Sequence, residues 1–440
     1  MNKQLEALRA ELNYDKTNRC VQCGYCLPAC PTYQTMGKET HSPRGRINLV
    51  KMVGEGRITD LSVLEEPLDL CLGCRACETV CPSGVEYGAI LEAARTAIVR
   101  RKKFTVPQKA LRKVLFKKVF PSRKMMNLAG NALWLYEKSG VQKLARKSGL
   151  MNKLPANLGK FEAIVPPAVS PAERSALPRR VPAKGEKKCT AAFFLGCVMD
   201  AMFQRINELS IQLLAEVGCE VVVVENQTCC GALHAHAGEK DDSKQLAKRN
   251  IEAFERYDVD FIVNNAGGCG AMLVEYDHLL ADEPEWAERA RRFVQKTRDI
   301  SQVLAQCGGV KGKEGPYERI TYQRSCHMSN VQKVTAEPVQ LLQSLPNVEL
   351  VEMKEATMCC GSAGIYNIVN YDASMEILDR KMKNVKDTKA VTVITTNPGC
   401  LLQMKLGIER ENLSGQMRAV HLVEFLAERS GLAQEQILKK

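Results

Sequence analysis

The sequence predicts an α+β chain of several domains: a mainly α-helical N-terminal unit, then two duplicated α/β modules, each built on a parallel sheet. Three observations lead there. Four cysteines near the N-terminus recur 51 residues later, and a second cysteine pattern recurs downstream at offsets of 129 to 131. Between the two systems the apolar periodicity changes from helical to alternating strand and helix. The 440 residues are 45% hydrophobic and 25% charged, an ordinary globular composition long enough for about two to four domains. No stretch approaches the run of about 18 apolar residues that a membrane-spanning helix requires.

Within the first unit, residues 1–100, Leu5, Leu8 and Leu12 have helical spacing, as do the apolar residues of Arg46 to Val53 and Tyr87 to Arg100. Between these helices lie Cys20, Cys23, Cys26 and Cys30, followed by Pro31, and Cys71, Cys74, Cys77 and Cys81, followed by Pro82. Three thiolates two residues apart wrap one corner of an iron-sulfur cube, and the fourth ligand comes from elsewhere; in two-cluster ferredoxins it comes from the opposite run. The expected sets are therefore Cys20, Cys23, Cys26 and Cys81 for one [4Fe-4S] cluster, and Cys71, Cys74, Cys77 and Cys30 for the other. The competing reading, structural zinc, takes four thiolates per ion and leaves the third in-phase cysteine of each run unexplained. The first unit is thus expected to be ferredoxin-like. Nineteen cysteines in a long chain with no signal-peptide pattern point to reduced thiols and a cytoplasmic location rather than a disulfide framework.

Residues 101–187 are expected to connect the two repeat systems. Arg100 to Lys160 holds 17 Lys or Arg against one acid, Glu137, so this window carries +16 of a chain whose net charge is +12. Lys109 to Phe120 spaces Leu111, Val114, Leu115 and Val119 on one helical face amid lysines. Such a helix either lies on an anionic membrane surface as a peripheral contact or covers the protein's own core. No nucleic-acid motif accompanies the charge, so nucleic acid is not an expected partner. Pro155, Pro166, Pro167, Pro171, Pro178 and Pro182 close the segment as a linker.

The modules span 188–310 and 311–440. In the first, strands at Ala191 to Leu195, Glu220 to Val224 and Phe261 to Val263 alternate with helices at Asn207 to Val217 and Ser243 to Arg256. In the second, strands at Ile320 to Tyr322, Val348 to Val351 and Val391 to Thr395 alternate with helices at Val339 to Leu345 and Ala373 to Val385. Right-handed crossovers then give parallel sheets. Cys197, Cys229, Cys230 and Cys269, and their counterparts Cys326, Cys359, Cys360 and Cys400, fall just beyond strand ends, where open α/β sheets bind ligands. Four thiols converge in each module, and either a metal or cluster, a redox pair, or structural thiols satisfies that pattern. His234, His236 and His327 lie nearby in sequence as candidate ligands or proton carriers. Cys189, Cys219 and Cys307 fall outside every pattern and read as small buried residues.

The double ferredoxin run with two Cys-Cys-Gly modules, Cys229-Cys230-Gly231 and Cys359-Cys360-Gly361, resembles the iron-sulfur subunits of bacterial glycolate oxidase. It is similar more broadly to the iron-sulfur subunits of D-lactate and anaerobic glycerol-3-phosphate dehydrogenases and to heterodisulfide reductase subunits. The fullest form of that module ends in Cys-x2-Cys; here Met272 and Gln403 stand where the last cysteine would be, which argues against heterodisulfide chemistry. The chain carries neither a Gly-x-Gly-x-x-Gly nor a phosphate-loop fingerprint. The resemblance implies an electron-transfer subunit: a separate flavin-containing 2-hydroxy-acid dehydrogenase subunit oxidises glycolate, or D-lactate as a second substrate, and this chain passes electrons toward a membrane acceptor, with further iron-sulfur centres in the modules as an open extension. A thiol-disulfide enzyme and a zinc-bound scaffold are the competing classes.

Overall fold

A computed structural model describes residues 3–149, 151, 157–175 and 177–432. The N-terminal unit is helical as expected: Lys3–Glu11, Pro43–Gly54 and Tyr87–Arg101 pack around Leu12, Ile47, Val50, Leu64, Ile90, Leu91 and Ala94. The Pro43–Gly54 helix starts cleanly because the Ser42 hydroxyl accepts from the Gly45 amide and Pro43 needs no amide partner at the first position. The cysteine runs occupy the loops between these helices.

The first module is a five-stranded sheet. Its strands are β1 (Arg180–Val181), β2 (Cys189–Phe193), β3 (Cys219–Val223), β4 (Phe261–Asn264) and β5 (Thr297–Asp299), in the order β1-β3-β2-β4-β5. All pairs are parallel except β1 with β3. The second module has β6 (Glu318–Tyr322), β7 (Val348–Leu350), β8 (Thr392–Thr395) and β9 (Arg418–His421) in the order β7-β6-β8-β9, all parallel. The parallel α/β architecture and its duplication follow the sequence pattern. Each module also gains one strand beyond the three expected, β5 and β9, and β1 is contributed by the connecting segment.

The modules share one core. Helix Gln204–Glu216 of the first packs on Leu422–Ser430 of the second, and Ile300–Gln306 packs on Glu337–Gln343. The connecting segment forms the helices Val106–Val114, Arg123–Lys138 and Val141–Lys147, with a π turn at Leu115–Val119. Pro155 lies outside the described residues.

Candidate functional site

Cys20, Cys23 and Cys26 line one cavity together with Cys77 and Cys81, and Cys30 lines a second with Cys71, Cys74 and Cys77. The fold therefore carries Cys81 across to the first run and Cys30 across to the second. Among the described residues no three of these eight thiols stand within 4.8 Å of one another, whereas four thiolates on one zinc ion sit about 3.7 Å apart. The donor sets are all-sulfur and spread for a group larger than an ion, which fits a cubane.

The two sets differ in surroundings. Cys23 is exposed and Cys20, Cys26 and Cys81 are half-buried, with Val21 and Tyr25 projecting into solvent beside them. Cys30, Cys71 and Cys77 are buried. The Arg46 guanidinium, 1% exposed, donates to the Pro67 carbonyl at 2.6 Å and the Thr32 hydroxyl at 3.1 Å, and reaches the Cys30 sulfur at 3.9 Å. The Tyr87 hydroxyl donates to Cys71 Sγ at 3.3 Å and the Gly73 amide at 3.4 Å. Burial works against ionising Cys71, but the charges of Arg46 and Arg95 and these donors outweigh it and hold its thiol below the ordinary value. Burial pushes Cys74 and Cys77 well up, reinforced by neighbouring thiols.

In each module the four predicted thiols come together at the carboxyl edge of the sheet. Cys197 opens the helix after β2, Cys229 and Cys230 follow β3, and Cys269 lies in the helix after β4. The sulfurs form an open row, Cys197 to Cys229 at 3.4 Å, then Cys230, then Cys269. Cys326, Cys359, Cys360 and Cys400 repeat that row. Hydrogen bonding to the next thiol and burial drive Cys197 and Cys326 well above the ordinary thiol value. The glycine after each pair is obligatory. Gly231 and Gly361 have φ of +91° and +92°, and a Cβ there would lie 2.7 Å from Ser243 Oγ and 2.8 Å from the Ser374 carbonyl.

At the positions of the missing cysteines, Met272 is packed in an apolar cluster, while the buried Gln403 accepts from Asn367 at 2.9 Å and donates to Ser374 at 3.0 Å. Both are structural side chains. His234 is turned away from the thiols: its Nε2 meets the Phe116 carbonyl at 2.8 Å and so clamps the connecting segment. His236 and His327 stack at 5.5 Å in a crevice where the N-terminal unit meets both modules, with Arg75, Glu92, Met272 and Glu275 around them. Burial lowers the pKa of both imidazoles.

Cys74 packs against the apolar cluster that contains Cys326 and Cys359, and its carbonyl accepts from Asn330 at 2.8 Å. The buried ferredoxin set and the second module's row are therefore neighbours. Sequence reasoning had no signal for this contact, because the residues lie some 250 positions apart. It also missed Cys189, Cys219 and Cys307. Read as incidental, they instead converge: their Sγ atoms stand 2.7, 3.6 and 4.0 Å apart. The two β2 and β3 cysteines are register partners, which no linear spacing reveals.

Such a chain, with two all-thiol sets in a ferredoxin-like unit and two thiol rows at sheet edges, is an iron-sulfur electron carrier. Comparison with known proteins agrees. Residues 16–85 match the model of a 4Fe-4S dicluster domain, 107–165 that of the glycolate oxidase iron-sulfur subunit linker region, and 191–274 and 320–405 that of a cysteine-rich domain. The chain is 51% identical to the probable glycolate oxidase iron-sulfur subunit of Bacillus subtilis, over 94% of both chains. It is 29% identical to the glycolate oxidase iron-sulfur subunit of Escherichia coli, over 87% of this chain and 88% of that one. Lactate utilization protein A of Halalkalibacterium halodurans is 34% identical over 53% of this chain and 95% of its own. The chain belongs to the glycolate oxidase iron-sulfur subunit family. It is an electron-transfer subunit of an oxidoreductase complex, with iron-sulfur clusters as its cofactors.

Proposed function

We propose that this chain is the electron relay of a glycolate-oxidising complex. A separate flavin-containing subunit oxidises glycolate to glyoxylate, with D-lactate to pyruvate as the second substrate, and this chain passes the electrons singly to a membrane acceptor. The ligand sets in this reading are Cys20, Cys23, Cys26 and Cys81, and Cys71, Cys74, Cys77 and Cys30, with further redox centres on the two module rows. The division into 1–100, 101–187, 188–310 and 311–440 belongs to the same reading.

Iron-sulfur clusters bound there supply one-electron transfer, which a flavin needs in order to discharge two electrons in separate steps. The protein's residues supply the order and the tuning. The exposed set, flanked by Val21 and Tyr25, faces a partner; the buried set lies beneath it, tuned by Arg46; and the Cys326 row lies beyond. The observation that carries the reading is the packing of Cys74 against the cluster that holds Cys326 and Cys359.

Contact with the inner face of the membrane rests on the connecting segment. No helix among the described residues is long and apolar enough to cross a membrane. The helices there present Leu111, Leu128, Leu135 and Leu144 to solvent, each about 60% exposed or more. Lys109, Lys113, Lys118, Lys124, Lys143 and Lys147 are exposed around them, and none of the six forms an ion pair among the described residues. Apolar side chains ringed by unpaired lysines suit an anionic lipid surface.

The test is reconstitution. The purified chain is expected not to oxidise glycolate with an artificial acceptor, and to be reduced by glycolate once the flavin subunit is added. Glycolate turnover by this chain alone overturns the reading.

A further inference from the structure

The amino ends of the two sheets, opposite the thiol rows, are tied in different ways. In the second module the first residue of β6, Glu318, accepts from Arg429 at 2.8 Å, near the end of the Leu422–Ser430 helix, and from Arg418 of β9 at 3.1 Å. An ion pair thus joins the sheet to its last helix. In the first module the corresponding places carry thiols: Cys189 opens β2, Cys219 opens β3, and Cys307 follows the Ile300–Gln306 helix. All three are at least 93% buried, while the charges at these ends, such as Glu220 with Arg180 and Lys187, lie on the surface around them.

We propose that Cys189, Cys219 and Cys307 form a three-thiolate site for one soft d10 metal ion, Zn²⁺ or Cu⁺. It is separate from the redox rows, with roughly 15 Å of strand between them. Among the described residues it is the one group of three His, Cys, Asp or Glu ligands whose donor atoms all lie within 4.8 Å. Thiolates on such an ion, with metal-sulfur bonds of about 2.3 Å, stand roughly 3.7–4.0 Å apart. Two of the separations, 3.6 and 4.0 Å, already match, and the 2.7 Å pair opens by about 1 Å to accept the ion. Donors from two strands and a helix end make the ion a cross-link between those elements, in the place of the second module's ion pair.

The surroundings suit the charge. Three thiols release three protons to solvent as the ion binds, leaving an anionic centre. The Lys188 ammonium donates to the Cys307 carbonyl at 2.5 Å and supplies the compensating charge. Cys307 lines an open cleft of about 600 Å³ together with Lys184, Lys188, Lys311 and Lys313, which gives the ion a path in from solvent.

The test uses the full chain, purified anaerobically with its iron and stripped of other metals with a mild chelator. It is titrated separately with Zn²⁺ and with Cu⁺ against a chromogenic competitor. The wild type is expected to take up one equivalent that does not displace iron. Cys307→Ala and Cys219→Val are each expected to lose that equivalent while iron and acid-labile sulfide stay at the wild-type level. In the unsubstituted protein, the bound ion is expected to protect these three cysteines from alkylation, as read by peptide mass spectrometry, and the chelator to restore labelling; this readout stands even where a variant fails to fold. Equal uptake by wild type and both variants, labelling unchanged by the ion, or a Cys189–Cys219 disulfide with no uptake overturns the proposal.

Discussion

The two modules share one fold and one row of four thiols, yet their surroundings differ at both ends. The second module's row is sealed: Cys326, Cys359, Cys360 and Cys400 are all buried, and the N-terminal unit packs on Cys326 and Cys359 through Leu72 and Cys74. The first module's row is more open, with Cys197 and Cys269 half-buried, and the connecting segment covers it where His234 holds Phe116 and Thr228 donates to the Pro121 carbonyl at 2.7 Å. At the opposite end the second module joins its sheet to its last helix through the Glu318–Arg429 ion pair, whereas the first brings three buried thiols together there. Duplication supplied two identical frames, and contact with the rest of the chain assigned them different work: the second module stands next to the buried ferredoxin set, and the first stands under the basic segment.

The largest expected effect breaks the junction itself. Cys359→Ala is expected to slow electron transfer through the chain by about 100-fold or more, since one lost factor of ten corresponds to only about 1.4 kcal/mol. Cys229→Ala, in the row outside the apolar cluster that Cys74 packs against, is expected to slow it less. Stopped-flow reduction of both variants by the flavin subunit checks the ranking, and equal effects would erase the distinction between the modules.

Removing the second module's ion pair comes next. Arg429→Met leaves the largely buried Glu318 with Arg418 and Thr392 alone and is expected to destabilise the fold by about 3 kcal/mol in denaturant unfolding. The pH dependence has a definite sign. Burial tends to raise the pKa of Glu318, but the Thr392 hydroxyl and the two arginines prevail and hold it below the ordinary carboxylate value. The pair therefore contributes fully above the unfolded pKa of about 4.3 and is lost as pH falls through the lower folded value. The Glu318 component of acid unfolding is expected to shrink in Arg429→Met, with Thr392 and Arg418 retaining the rest.

Arg46 sharpens the contrast between the two ferredoxin sets. Arg46 reaches the Cys30 sulfur at 3.9 Å. Removing a buried positive charge so close to a ligand of a bound cluster, at an effective dielectric of about 20, lowers its reduction potential on the order of 100 mV. In Arg46→Met, redox titration followed by electron paramagnetic resonance is expected to show that shift in the buried centre and a much smaller one in the exposed centre. The smallest effect lies on the connecting segment. Each charge reversal such as Lys113→Glu is expected to weaken binding to phosphatidylserine-containing vesicles by at least about 1 kcal/mol, as measured by flotation.

The extent to which sequence alone revealed this structure follows from the range of the forces involved. The ferredoxin runs and the Cys-Cys-Gly repeats are local spacings, and their ligand chemistry is written in the intervals between residues. The core strands were visible as short β-branched runs. β5 and β9 were not, since Thr297-Arg298-Asp299 and Arg418 to His421 are short and polar and become strands only by pairing with β4 and β8. The trio Cys189, Cys219 and Cys307 was invisible for a related reason: sheet register and a helix end bring it together, and its one linear trace is that β2 and β3 both begin at a cysteine. The Cys74 junction depends on domain packing and leaves no trace in spacing at all.

Iron and acid-labile sulfide analysis of the anaerobically purified chain tests the account most directly. The account predicts at least about eight irons per chain with equal sulfide, falling by about four in Cys74→Ala while the exposed centre keeps its spectrum. Zinc in place of iron, without labile sulfide, would contradict it.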